Sequence, residues 1–189
     1  MRLTPAGIGN AWIVDTVPHV DPRGDFARVF CTETFAAHGM PVNFVQCNIS
    51  RNARAGTLRG LHAQLPSGME GKLVRCMRGA LYDVFVDLRG NSPTYGQWRG
   101  FELTAENARA LYIPPGCAHG YQTLVDGTDL FYQMTTQYRP DLARGIRWSD
   151  PTLAIPWPLA DPTLSPQDAA LPLLTALPRV ADLVEAALA

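Results

Sequence analysis

The sequence predicts a mostly β domain of sandwich or barrel type, and three observations carry that prediction. Short apolar segments recur along most of the chain at intervals of roughly 8–14 residues, the rhythm of an all-β domain. Gly and Pro, 16 of each, punctuate those segments without any fixed period, which suits many turns and excludes a collagen-like chain. Helical spacing is confined to two short stretches.

Candidate strands fall at residues 11–16, 28–31, 43–49, 72–77, 80–88, 98–103, 110–113, 120–123 and 130–137. Alternation is clearest over 81–87. There Tyr82, Val84 and Val86 share one face, and Leu81, Asp83, Phe85 and Asp87 the other. Turn chemistry separates the segments: Asp21-Pro-Arg-Gly24, Gly90-Asn-Ser-Pro93, Pro114-Pro-Gly116 and Asp126-Gly127. Residues 33–38 followed by Gly39 read as one or two helical turns with a glycine C-cap. A second helix is expected at 179–189, where Val180, Leu183, Val184 and Leu188 keep helical spacing. No repeat or linker marks a boundary, so one domain over 1–189 is expected, with a barrel core at about 10–150 and a C-terminal extension at about 165–189. An immunoglobulin-like sandwich and a jelly roll both fit this pattern. The absence of a Cys…Trp…Cys spacing favours the jelly roll.

Composition narrows the function. A hydrophobic fraction of 47% is enough to fill a core, and a net charge of -1 argues against nucleic acid as the partner. No stretch of about 18 apolar residues and no basic-then-apolar leader occurs, so a cytoplasmic protein without membrane association is expected. Cys31, Cys47, Cys76 and Cys117 form no CxxC pair and read as free thiols.

Polar residues cluster in three otherwise apolar stretches. These are 46–52 continuing through Arg54 to 56–64, then 70–75, then 114–121. If the strand through 58–64 turns its even positions inward, His62 points into a cavity. A break in alternation at Gly60 would let Arg59 reach in as well.

The runs GTLRGLH, KLVR, YDVFVDLRGNSPTYGQW, IPPGCAHGY and LSPQD, in this order from about Asp21 to Asp168, resemble the dTDP-4-dehydrorhamnose 3,5-epimerase family of the cupin superfamily. The resemblance implies a cupin-type jelly-roll β-barrel with a few short helices, and a homodimer. It also implies cofactor-independent epimerisation at C3 and/or C5 of a nucleotide-linked 4-keto-6-deoxyhexose. The ketone acidifies the neighbouring C–H bonds, so inversion needs a base, a stabiliser for the enolate oxygen and a proton donor on the opposite face. The family pattern places the base at His62, its orienting carboxylate at Asp168, the enolate-stabilising ammonium at Lys72 and the donor phenol at Tyr132. Arg23 and Arg59 match pyrophosphate binders. Gln46, Asn48 and His119 match contacts to sugar or nucleotide. Phe26 and Tyr138 match residues against the base.

Three departures bear on substrate choice. The more usual QDN reads Gln46-Cys47-Asn48, an acidic residue common in dTDP-sugar members is replaced by Arg28, and GFAHGF reads Gly116-Cys-Ala-His-Gly-Tyr121. Where that acidic residue meets the nucleoside in family members, the change of sign at Arg28 leaves CDP- and GDP-linked sugars open. Competing readings are a mono-epimerase, a metal-dependent cupin and a non-catalytic sugar-binding cupin. The metal reading suffers because a second histidine two residues after His62 is needed, and Gln64 stands there. The non-catalytic reading leaves His62, Lys72, Tyr132 and Asp168 without a reason to occur together.

Overall fold

A computed structural model describes residues 1–177. The chain forms, in order, β1 (Arg2–Pro5), β2 (Trp12–Asp15), β3 (His19–Asp21), β4 (Gly24–Phe26), α1 (Thr32–Ala37), β5 (Gln46–Asn52), β6 (Leu58–Gln64), β7 (Lys72–Arg78), β8 (Ala80–Asp87), β9 (Trp98–Thr104), β10 (Ala110–Ile113), β11 (Cys117–Thr123), β12 (Thr128–Met134), β13 (Ala143–Gly145) and α2 (Pro166–Ala169). Two antiparallel sheets dominate, one ordered β1-β2-β10-β7-β12-β5 and the other β13-β6-β11-β8-β9. They face each other as a flattened jelly roll whose two sheets are not closed by hydrogen bonds among the described residues. The mostly β expectation and the cupin-type architecture hold. The helix expected at 179–189 lies outside the described residues.

Alternation in β8 explains the layering. Leu81 and Phe85 point between the sheets and meet Val74, Leu111, Tyr121 and Leu130 in the main core. Val84 and Val86 point the other way and pack with Leu61, Ala118, Ile146 and Leu153. That second cluster lies beneath the chain that follows β13. Burying a Leu or Phe side chain stabilises by about 1.5–3 kcal/mol, so this contact secures the C-terminal segment against the sheet. The segment also joins the sheet edge through backbone. Leu58 N–H donates to Thr163 at 2.9 Å, and Ile146 exchanges hydrogen bonds with Leu61.

The outer face of the six-stranded sheet is covered by α1 and its flanks, with Phe35 and Met40 against Leu73 and Tyr112. Here the sequence expectation needs correction. Residues 28–31 are not a strand, because Phe30 turns from any ladder to pack edge-on against Phe35 and Phe44. The helix expected at 33–38 is α1, which ends at His38 with Gly39 at φ +66°. A hairpin not foreseen from periodicity, β3–β4, turns at Asp21-Pro-Arg-Gly24 and is exposed throughout.

The feature that most shapes the interior is a bulge in β6. His62 pairs with His119 and Arg59 with Tyr121, so one residue of β11 faces two of β6. The phase of β6 therefore shifts at Gly60, and both Arg59 and His62 turn toward the space between the sheets. Gly60 has φ +128°, and a Cβ there would lie 2.6 Å from the Gly120 Cα. No side chain fits between two backbones that close. Gly60→Ala is expected to cost about 2 kcal/mol or more and to lower the melting temperature. An unchanged melting temperature in that variant would refute the close-approach account.

Candidate functional site

His62 projects inward from β6, and its Nε2 donates to Asp168 Oδ1 at 2.6 Å. The two are 106 residues apart, joined because the C-terminal segment runs alongside β6. Asp168 lies in the single turn α2, whose N-cap Ser165 accepts the Asp168 N–H at 3.0 Å. That cap and Pro166 fix where the carboxylate points. The His62 side chain keeps 49% of its exposure and Asp168 only 7%, so the imidazole is open to a substrate and its anchor is not. With Nε2–H given to the carboxylate, Nδ1 is left with the lone pair that a base requires.

Burial opposes ionisation of Asp168, but hydrogen bonding from His62, with Ser165 and the Gly60 backbone N–H, outweighs it and holds the carboxyl below its usual value.

The opposite wall belongs to the six-stranded sheet. Lys72 opens β7 and Tyr132 lies on β12, where Met134 pairs with Lys72 and Tyr132 with Val74. Lys72 and Tyr132 are thus diagonal neighbours on one face. Asn48 pairs with Tyr132, and Gln46 with Met134, adding two amides to that face. Burial raises the Tyr132 phenol above its usual value, Arg59 works in the other direction, and Glu70 adds to the rise. A phenol so placed is protonated near neutral pH and has a cation at hand when it must ionise.

Arg59 donates Nε–H to Asn52 Oδ1 at 2.9 Å, and Tyr121 donates to Ser50 at 2.7 Å. His119, 7% exposed, bonds Asp83 Oδ2 at 2.9 Å, while Asp83 Oδ1 is buried without a partner. Burial raises the Asp83 carboxyl, against the lowering effect of His119 and Lys72.

Of the residues expected from sequence, His62, Asp168, Lys72, Tyr132, Arg59, Asn48 and His119 are brought together between the sheets. Gln46 accepts the Tyr138 backbone N–H at 2.7 Å, which ties those two at one end of the strands, with Tyr138 itself 53% exposed. Arg23, Phe26 and Arg28 are not brought in. Arg23 is bound to Asp21 of its own hairpin at 2.5 Å, Phe26 is 74% exposed, and Arg28 is exposed on the loop beyond. Cys47 faces outward and is exposed, so the lost acid of QDN does not alter the interior.

The polar stretches singled out in the sequence contain Glu70, Gln64, Ser50 and Asn52, but no role was assigned to them, nor to Asp83 on β8. Glu70 was visible as a charge beside Lys72, and Asp83 as a charge on the core face of the best alternating strand. Among the described residues, no three His, Cys, Asp or Glu side chains gather as a metal site would require.

A carboxyl whose value is lowered by folding contributes stability above its unfolded value and loses it as pH falls through the lowered one. Asp168→Asn is therefore expected to be about 1–2 kcal/mol less stable than the parent at neutral pH, with the gap closing as pH falls below the usual carboxylate range. Urea unfolding across that range measures it. A gap that does not narrow on acidification would mean the carboxylate is not held by these bonds.

The sequence profile of the dTDP-4-dehydrorhamnose 3,5-epimerase family matches residues 5–176. The dTDP-4-dehydrorhamnose 3,5-epimerase of Salmonella typhimurium is 46% identical over 176 residues, which is 92% of this chain and 96% of that protein. A dTDP-4-dehydrorhamnose 3-epimerase of Streptomyces niveus is 42% identical over 170 residues, 89% of this chain and 81% of that one. The crystal structure of the dTDP-6-deoxy-D-glucose-3,5-epimerase of Legionella pneumophila, in complex with dTDP-4-keto-L-rhamnose, superposes with a TM-score of 0.89 at 40% identity and covers 96% of each chain. With the fold, the ordered motifs and these likenesses in agreement, the chain belongs to the dTDP-4-dehydrorhamnose 3,5-epimerase family.

Proposed function

We propose that the chain is a single epimerase domain that converts dTDP-4-dehydro-6-deoxyglucose to dTDP-4-dehydrorhamnose by inverting C3 and C5, without a cofactor. The observation that carries this reading is the His62–Asp168 pair on one wall with Lys72 and Tyr132 on the other. A sugar ring between them meets a base on one side and a proton donor on the other.

His62 Nδ1 takes a proton from the carbon beside the ketone, and the C–H electron pair becomes the enolate double bond. Negative charge moves to the ketone oxygen, where the Lys72 ammonium, poorly solvated, stabilises it strongly. The Tyr132 O–H bond then breaks and a new C–H bond forms on the opposite face. The phenolate regains a proton from solvent, and the imidazolium releases one. Asp168 holds the ring orientation and supports its positive charge during the step. Arg59 meets the pyrophosphate, while Asn48, Gln46 and His119 meet sugar or nucleotide polar atoms. Tyr138 lies where it can cover the base.

The binding residues on and after the β3–β4 hairpin have no place in this scheme within one chain. We infer that they act across a homodimer, with Arg23, Phe26 and Arg28 serving the partner's barrel. Supporting this, Val20 at 77% and Phe26 at 74% are apolar and exposed on the hairpin, and Ile49 at 55% and Met77 at 58% are exposed on the six-stranded sheet. Exposed apolar groups of this kind mark association surfaces. The dimer works in the cytoplasm, where nucleotide sugars are made and no membrane contact is needed. Among the described residues no helix is long and apolar enough to cross a membrane.

The relative from Streptomyces niveus, a 3-epimerase, favours a second reading, inversion at C3 alone. Incubation in deuterated water with dTDP-4-keto-6-deoxyglucose decides between them. Label at both C3 and C5 is expected, and label at C3 only would establish the mono-epimerase. His62→Ala should reduce exchange by about 10³-fold or more while the nucleotide sugar still binds. Full exchange in that variant would sink the base assignment. Parallel assays with CDP- and GDP-linked sugars test Arg28, with dTDP expected to be preferred.

Light scattering should return twice the chain mass of 20.7 kDa. Phe26→Asp should lower both that mass and the affinity for substrate. A monomeric wild-type protein with full activity would remove the cross-subunit role of the hairpin.

A further inference from the structure

We propose that Glu70 is a positioning residue for this reaction: clamped by Gln64, it fixes the Lys72 ammonium at the place where the enolate oxygen forms and keeps it from Asp83. The proposal rests on the epimerase reading above.

Glu70 and Lys72 have side-chain exposures of 5% and 9%, and Lys72 Nζ donates to Glu70 Oε1. The other carboxylate oxygen, Oε2, accepts from Gln64 Nε2 at 2.6 Å. Gln64 is itself fixed at both ends. Its Nε2 also donates to the Gly68 carbonyl at 2.8 Å, and its Oε1 accepts the Arg139 backbone N–H at 2.6 Å. Glu70 is therefore held to backbone through one rigid amide, and Lys72 is held to Glu70.

The clamp starts on the strand that carries the base. His62 and Gln64 are alternate residues of β6, both turned inward beyond the bulge. Through Gln64 and Glu70, β6 thus sets the position of a cation on the facing sheet relative to its own histidine. Base and enolate stabiliser are registered to one another without touching.

The need for such a clamp follows from the lysine. Its four-carbon stem is flexible and its head is a point charge with no preferred direction. A buried ammonium needs an anion beside it, and Glu70 supplies one. A second carboxyl, Asp83 on the opposite sheet, interacts electrostatically with Lys72 and has one buried oxygen without a partner. Without Glu70, that oxygen becomes a competing carboxyl partner for Lys72. The ammonium would then turn toward His119 and Asp83 and away from the ketone.

Glu70 also acts on the proton donor. Among the described residues, Arg59 from β6 and Glu70 from the turn before β7 act on the Tyr132 phenol, Tyr121 from β11 interacts with it, and Lys72 of β7 lies diagonal to it. Of these, Arg59 favours ionisation of Tyr132 and Glu70 opposes it. Removing the Glu70 charge lets Tyr132 ionise at lower pH, so its proton-donating form is lost sooner as pH rises. The alkaline limb of the rate profile then moves to lower pH. A merely structural Glu70 would change folding and the active fraction but not that limb.

The test compares wild type, Glu70→Gln, Lys72→Ala and the double variant by deuterium incorporation into dTDP-4-keto-6-deoxyglucose across pH. Glu70→Gln should lower kcat about tenfold with KM within about twofold, and move the alkaline limb down. Glu70→Asp, which keeps the charge but is too short to span Gln64 and Lys72, should fall between. In the Lys72→Ala background, Glu70→Gln should cause no further loss of kcat at pH below the alkaline limb. Wild-type kcat and limb in Glu70→Gln would overturn the proposal, as would a loss that multiplies with that of Lys72→Ala. Wild-type protein that incorporates no deuterium would defeat the epimerase reading, an outcome separate from the Glu70 comparison. If Glu70→Gln fails to fold, Gln64→Leu frees the carboxylate while leaving the ion pair. It should lower kcat about threefold, and unchanged kcat there would also overturn the proposal.

Discussion

Everything in the interior depends on how closely β6 and β11 approach at Gly60 and Gly120. A Cβ on Gly60 would fall 2.6 Å from the Gly120 Cα, and one on Gly120 would fall 2.8 Å from the Arg59 carbonyl oxygen. That contact permits the bulge, and the bulge turns Arg59 and His62 to the same side of a strand whose simple alternation would separate them. The same glycine offers its N–H to Asp168. One local backbone arrangement thus sets the directions of Arg59 and His62 and helps to anchor Asp168.

The charges between the sheets follow a consistent plan. Each histidine that faces inward is held by a carboxylate of its own, His62 by Asp168 and His119 by Asp83. The lysine has Glu70, and the arginine has the neutral Asn52. Ion pairs in such surroundings add little net stability, because desolvation offsets much of their attraction. Their return is in position: a buried, fully bonded group has few orientations open to it.

Much of this was legible in the sequence, for reasons that differ by element. The two faces of β8 were readable because both are buried against different clusters, so alternation carries a strong signal. The β3–β4 hairpin was not, since a strand exposed on both sides shows no periodicity. Phe30 misled for the opposite reason: an apolar residue in an aromatic cluster looks the same in sequence whether or not its backbone joins a ladder. For the site, family likeness located His62, Lys72, Tyr132 and Asp168, and Gly60 signalled that alternation there was open to question. Glu70 escaped because a charged pair at the start of a strand reads as surface, and only the fold buries it. Asp83 escaped because a pattern of alternation ranks positions by face, not by the unusual chemistry of one member.

The anchoring of His62 by a carboxylate 106 residues downstream has a consequence for the life of the chain. A ribosome releases both sheets before it releases Asp168, so the main core between them, the bulge and the histidine come first. Until the segment that carries Asp168 docks along β6, His62 lacks the carboxylate that orients its ring. The ring is therefore aligned after the sheets have formed rather than with them.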